Sequence, residues 1–504
     1  SRLYIFGFVL FAAFLLSDSA GTYGQSADTL KPLTLEEVST ALKESKTGLP
    51  TTNRVLKKQI EERGIAFEIN QVIEASLRDD GAVDDLLKAI RRKLSEPFTK
   101  RAEGCAKEDI ECRIANYNQA LAINPEDSSN LIERGIAFHD KRDYDAAMRD
   151  YTAGIKIDPN ESALYFNRGN IYYGKKDYDS AIKDFSRAIV LNPKDGDHFF
   201  SRAKTYDAQG KYDLSVKDYS SFIALKPTDP EGYEARGDAY LENNAYDLAL
   251  KDYNKAISLN PKDAELIASR GRLYSAKKQY DAALRDFDKA ITIDPKSAFS
   301  YHNRGFTYYL NKDYDRAIAD FDKSIEIGPP TAGKYVDRGS AFEGRSQNDK
   351  ALADFSKAIE LDNAEFEAYY NRGNLYKNRS DYERAIIDFS KAIELRPKDS
   401  DAYFERGAIY IDIEDYAAAL KDFDKVVELS PENSSAFTNR GLVHLRTGNN
   451  GKAIADSTEA IRLDPKNGTA FGNRAVAYDS TGEAQKAEAD RKKSKLLEKQ
   501  QKPE

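Results

Sequence analysis

Residues 167–193, NRGNIYYGKKDYDSAIKDFSRAIVLNP, return at residues 371–397 as NRGNLYKNRSDYERAIIDFSKAIELRP. The same phrase recurs around both copies. Its arginine marks the interval: Arg134, Arg168, Arg202, Arg236, Arg270, Arg304, Arg338, Arg372, Arg406, Arg440 and Arg474 stand 34 residues apart. Eleven units without an insertion or deletion override the several globular domains that 504 residues would otherwise suggest.

With the first unit counted from Ser128, chemistry is fixed at particular places. Place 8 is Gly in nine units, where a mid-helix Gly costs about 1 kcal/mol against Ala and so answers a steric demand. The small residue at place 20, such as Ala147, Ala181 and Ala317, is expected to meet that Gly and let two helix backbones approach. Aromatics recur at places 4, 11 and 24, as in Tyr165, Tyr172 and Phe185, and are expected in the core. Pro at place 32, from Pro159 to Pro465, ends the second helix of a unit, and Asn363 breaks that pattern once. Each repeat Arg, at place 7, is followed sixteen residues later by Asp, from Asp150 to Asp490. An Asp beside every Arg predicts a structural ion pair between antiparallel helices rather than an anion site.

The period and these positions resemble the tetratricopeptide repeat. The resemblance implies an all-α fold, a right-handed superhelical solenoid of about eleven 34-residue helix-turn-helix repeats, preceded by a small helical domain. It also implies that the first helices line a concave face with places 2, 5, 9, 12 and 13. The family's carboxylate clamp needs Lys at place 5, and none stands there, although Asn170 and Asn374 occupy a clamp-compatible place 9. Phe166, Phe200, Tyr370 and Phe404 at place 5, with Tyr173 and Tyr309 at place 12, are aromatics outside the three core places. They are the expected partner-binding residues. The function implied is a non-enzymatic scaffold or adaptor that binds a peptide or protein. An envelope-polymer or glycan-binding accessory protein, or a regulatory subunit of an enzyme complex, are the alternatives.

The flanks divide as 1–27 signal peptide, 33–94 helical module, 95–127 degenerate capping repeat and 128–501 repeats. The apolar run Leu3–Leu16 is too short to span a bilayer comfortably, so a mature chain beginning between Ala20 and Asp28, secreted or periplasmic, is expected. Thr34 and Glu37 form a capping box before an apolar-periodic helix. The runs IEERGIAFEIN and LRDDGAVDDLLKAIRRKL resemble a small helical module at the N-termini of exported and signalling proteins of bacteria, which implies no known chemistry. Cys105 and Cys112, if on one helix, would have Cα atoms about 10 Å apart, too far for a bridge. They are therefore expected as small apolar residues. The net charge of -8 argues against a general nucleic-acid binder. His139, His198, His302 and His444 fall in different units without metal-ligand spacing, and no catalytic motif or cofactor is expected. Asn160, Asn378, Asn433 and Asn467 head N-x-Ser/Thr triplets open to glycosylation in a eukaryotic secretory host.

Overall fold

The structure, a computed structural model, describes residues 31–44 and 49–501; the apolar run Leu3–Leu16 and the expected cleavage region lie outside the described residues. Within these bounds the chain is all-α, with twenty-seven helices. It forms two compact units, Ser1–Asn244 and Ala245–Glu504, parted at the turn of the fourth repeat.

The first unit opens with α1 (Leu35–Glu44), α2 (Leu49–Arg63), α3 (Gln71–Asp79) and α4 (Asp84–Glu103). The capping box is formed: Glu37 N–H donates to Thr34 Oγ1 at 3.2 Å, and Thr34 N–H donates to Glu37 Oε2 at 2.7 Å. Val38, Leu42, Leu56, Ile60, Leu77, Leu86 and Ile90 fill a separate core. Asn53 fixes the α3–α4 connection by donating to Gly81 O and accepting from Val83 N–H. The helix α4 runs unbroken through the boundary expected at 94/95 and pairs with α5 (Ile110–Ile123).

Cys105 and Cys112 are not the unbridged apolar residues expected. Gly104 ends α4 and Asp109 caps α5, so Cys105 lies in a turn and Cys112 in the first turn of the next helix. The chain doubles back, the Cα atoms come to 6.0 Å, and the two residues form a disulfide. One continuous helix was the wrong premise.

The remaining helices are eleven pairs. Each first helix has 13 residues and each second helix 14, except the last, Ala484–Gln501, with 18. Within each unit the first helices of successive repeats touch directly, as at Ser162–Gly174 against Gly196–Ala208 and Ala298–Leu310 against Ala332–Gly344. Place 15 carries the turn with positive φ, from Arg142 at 65° to Gly482 at 81°. This left-handed residue lets the next N–H bond back into the ending helix, as Asp143 N does to Phe138 O.

The twenty-fourth place is the deepest: Tyr151, Phe185 and Tyr219 in the first unit, and Phe287, Phe321, Phe355, Phe389 and Phe423 in the second, are almost wholly buried. These rings, rather than place 20, are what place 8 must accommodate. A Cβ on Gly339 would stand 2.7 Å from Phe355 Cε1, and one on Gly169 2.8 Å from Phe185 Cε1. Place 8 is Ala475 where Arg491 replaces the ring, and Ala203 where the ring is Tyr219, whose hydroxyl bonds Asp207. Places 4 and 11 are mostly half-buried, and their rings flank the repeat arginine: the Arg372 guanidinium carbon is 5.9 Å from the centroids of both Tyr369 and Tyr376.

That arginine joins three helices. In the first unit Arg134, Arg168 and Arg202, and in the second Arg270, Arg304, Arg338, Arg372, Arg406, Arg440 and Arg474, place Nε and Nη2 on the two oxygens of the Asp sixteen residues later, at 2.7–2.9 Å. Nη1 donates backwards to a small acceptor sixteen residues earlier, on the second helix of the preceding repeat. Thr152 serves Arg168, Ser186 serves Arg202, Asp288 serves Arg304 and Ser390 serves Arg406. The pairing expected from the sequence is present, and it consumes the donors an anion would need.

The ring-on-glycine contact predicts unequal costs. Gly339→Ala should lower stability by about 1–3 kcal/mol through overpacking against Phe355, despite the better helix propensity of Ala. Gly441→Ala faces Ser457 Oγ at 3.2 Å instead of a ring and should be near neutral. Denaturant midpoints of the two variants check this, and equal losses would remove the ring as the cause.

Candidate functional site

Places 2, 5, 9 and 12 lie on the first helix of each repeat, and first helices of successive repeats touch within each unit. The six aromatics expected at these places are all half-buried. Each place 5 ring lies against the place 24 ring of its own repeat: Phe166 on Phe185 at 5.9 Å, Phe200 on Tyr219 at 5.3 Å, Tyr370 on Phe389 at 5.8 Å and Phe404 on Phe423 at 5.7 Å. One face of each thus seals the core. Tyr173 rests on Tyr178, and Tyr309 on Phe306 and Tyr314.

In the first unit two of the six converge. Tyr173 and Phe200, with Tyr219 beneath, line a cleft of about 400 Å³ spanning repeats two to four. Phe166 packs away from it, against Phe185 and His198. Tyr309, Tyr370 and Phe404 belong to the second unit: Tyr309 joins the exposed Phe306, while Tyr370 stacks on Phe366.

The rest of the cleft is acidic. Asp207, Glu231, Glu234 and Asp238 line it, with Lys204 as the cation among the lining residues. These carboxylates occupy places 12, 2, 5 and 9 of repeats three and four. The sequence carried that signal, but aromatic spacing alone does not reveal it.

Asp207 sits deepest among them chemically. Its Oδ2 accepts from the Tyr219 hydroxyl at 2.7 Å, while Oδ1 is out of solvent and has no donor. The Ser215 hydroxyl beside it is turned to Tyr212 O. Burial pushes the Asp207 carboxyl above its ordinary value, and the charges of Asp238 and Glu242 add to that rise. Lys204 Nζ lies 5.8 Å from the Phe200 ring centroid.

A larger cleft, about 700 Å³, lies beside α4 in the first unit. It alternates Lys57, Lys88 and Arg92 with Glu61, Asp85 and Glu96, has no aromatic wall, and pairs its charges internally or nearby, as in Lys93–Glu96 at 3.1 Å and Lys88–Glu126 at 3.6 Å. Among the described residues no group of three or more His, Cys, Asp or Glu is placed to hold a metal ion, and no helix is long and apolar enough to cross a membrane.

Repeating helix pairs, a place 8 glycine under a place 24 ring and a terminating proline define a class of interaction arrays. The chain belongs to the tetratricopeptide repeat family. Tetratricopeptide repeat models match residues 129–161, 162–195, 200–264, 252–285, 298–329, 366–399, 404–467 and 438–491, and a TPR repeat model matches 271–312 and 339–380. No curated protein matches the sequence. Among solved structures, a tetratricopeptide repeat protein from Parabacteroides merdae is 25% identical over 50% of this chain and 96% of its own, with a TM-score of 0.44. YrrB, described as a TPR protein with an unusual peptide-binding site, is 27% identical over 36% of this chain and 95% of its own, with a TM-score of 0.32. The APC/C hetero-tetramer Cut9-Hcn1 is 13% identical over 87% of this chain and 98% of its own, with a TM-score of 0.42.

The raised Asp207 carboxyl has a stability consequence. Its folded pKa exceeds the unfolded value, so its contribution to stability is full below the ordinary Asp range near about 3.9 and is lost as pH rises through the folded value. Asp207→Asn keeps an acceptor for Tyr219 and removes the titration. Its thermal midpoint should gain on wild type as pH climbs through that window, and parallel midpoint-against-pH curves would contradict the assignment.

Proposed function

We propose that the protein is a non-enzymatic scaffold or adaptor, acting outside the cytoplasm, that holds a peptide segment of a partner protein along its first helices. The observation that carries this reading is the cleft where Tyr173 and Phe200 meet. Two large rings meet on its wall, Phe200 with one face against the core and Tyr173 resting on Tyr178, the arrangement of interface anchors. The family supports binding as the general task, since repeat arrays present extended surfaces rather than buried reaction centres. The apolar run Leu3–Leu16 supports export, and the Cys105–Cys112 bridge fits an oxidising compartment.

Tyr309, Tyr370 and Phe404 are proposed as further anchors of the second unit, and Phe166 as a support of the His198 ring rather than a direct contact.

Affinity capture with mass spectrometry, comparing wild type with the Tyr173→Ala/Phe200→Leu variant, tests the reading. A protein retained by wild type should be lost from the variant, with unfolding midpoints within a few degrees of each other. The N-terminus of the recovered chain should fall between Ala20 and Asp28. An unchanged captured set would remove the cleft from the binding surface, a large fall in midpoint would assign the rings to the core, and retention of Leu3–Leu16 would contradict a cleaved leader.

A further inference from the structure

Resting on that reading, the chemistry of the cleft narrows its partner. We propose that the cleft of repeats two to four receives an arginine or lysine side chain from a basic peptide, with the cation between the aromatic wall and the Asp207 carboxylate.

The lining leaves little room for another occupant. Carboxylates of Asp207, Glu231, Glu234 and Asp238 make up most of the polar wall, so an acidic segment finds little there to pair with. An apolar side chain could contact Phe200 and Tyr173 but would leave Asp207 Oδ1, already out of solvent, without a donor. A guanidinium or ammonium in the cleft brings positive charge beside the Asp207 carboxyl and so favours the ionised form that burial disfavours. It also finds aromatic faces, which attract cations through the ring quadrupole. The chain itself already uses that attraction: Lys204 Nζ sits over Phe200 at 5.8 Å. Arginine fits best, because its planar head can stack on a ring while its several N–H groups reach more than one carboxylate. A volume of about 400 Å³ holds one such side chain and the flanking backbone, and lies in the range of specific binding clefts.

The same pairing recurs in the second unit. Tyr173 and Asp207 occupy place 12 of consecutive repeats, and so do Tyr309 and Glu343. Burial pushes the Glu343 carboxyl above its ordinary value, and the exposed Phe306 stacks beside Tyr309. A ring followed one repeat later by a partly desolvated acid is therefore found in each unit, as a partner carrying more than one basic residue would require.

The test uses the full-length chain and a fluorescein-labelled peptide of alternating arginine and leucine, read by anisotropy, beside counterparts with glutamine or glutamate for arginine. The arginine peptide should bind at least about tenfold more tightly than the glutamine peptide, and more weakly as salt rises. Asp207→Asn/Glu231→Gln should lose about tenfold in affinity for it. Glu360→Gln/Glu394→Gln, which removes two exposed acids paired with Lys357 and Lys391, should bind as wild type does. Circular dichroism confirms that both variants are folded. No measurable binding of the arginine peptide, equal binding of the glutamate peptide, or equal losses in both acid variants overturns the proposal. If the captured partner is lost from the ring variant yet kept by Asp207→Asn/Glu231→Gln, the cationic occupant fails and the scaffold reading stands. If the ring variant keeps the partner, the scaffold site itself fails.

Discussion

Each repeat turns on one guanidinium. Held by two oxygens of an Asp on its own second helix and by a small acceptor on the preceding second helix, the arginine at place 7 ties three helices with charge-assisted bonds of fixed geometry. Rings of places 4 and 11 stand beside it, as Tyr369 and Tyr376 do at 5.9 Å from Arg372, so the charge is satisfied by its hydrogen bonds and lies near aromatic surface. Breaking such a group costs more than forming it gains, because the Asp left behind is buried. The geometry admits neither a shift of one helix along another nor a residue more or less in the unit. This fits the constancy of the 34-residue interval.

A repeat fastened in this way has its arginines spent on structure. The surface free for chemistry is the flank of the first helices, where places 2, 5, 9 and 12 vary from unit to unit. In repeats three and four they vary towards acid, and in repeats two and three towards large rings. The overlap makes the cleft. Recognition therefore comes from differences laid on a constant frame, and the frame's own charges do not interfere because each is neutralised within reach of its partner.

What the sequence disclosed followed from periodicity. The sixteen-residue step from Arg304 to Asp320 placed both on facing helices, and the capping box at Thr34 and Glu37 needed only local geometry. The backward bond to Asp288 was nearly as regular, since place 25 holds Asn, Ser, Thr or Asp in every repeat but the last, where it is Lys492, but a small polar residue on a helix has no single meaning until its neighbour is known. Gly339 signalled a steric demand without saying that Phe355, and not the Ala at place 20, imposed it. The Cys105–Cys112 bridge was missed because one glycine, Gly104, decides whether the stretch is one helix or two. Asp207 gave no signal in one dimension, as its one bonded and one unbonded oxygen depend on where Tyr219 and Ser215 turn their hydroxyls.

The three-helix role of the arginine is tested most directly by two double-mutant cycles read by native-state hydrogen exchange over residues 298–327, where local opening is separated from unfolding elsewhere in the array. Arg304→Ala with Asp320→Ala should show a coupling of about 1–3 kcal/mol, since both partners are largely buried. Arg304→Ala with Asp288→Ala should show a smaller coupling, below about 1 kcal/mol, because the Asp288 side chain is 59% exposed. Additive losses in the first cycle would contradict the claim that this ion pair holds the helices together.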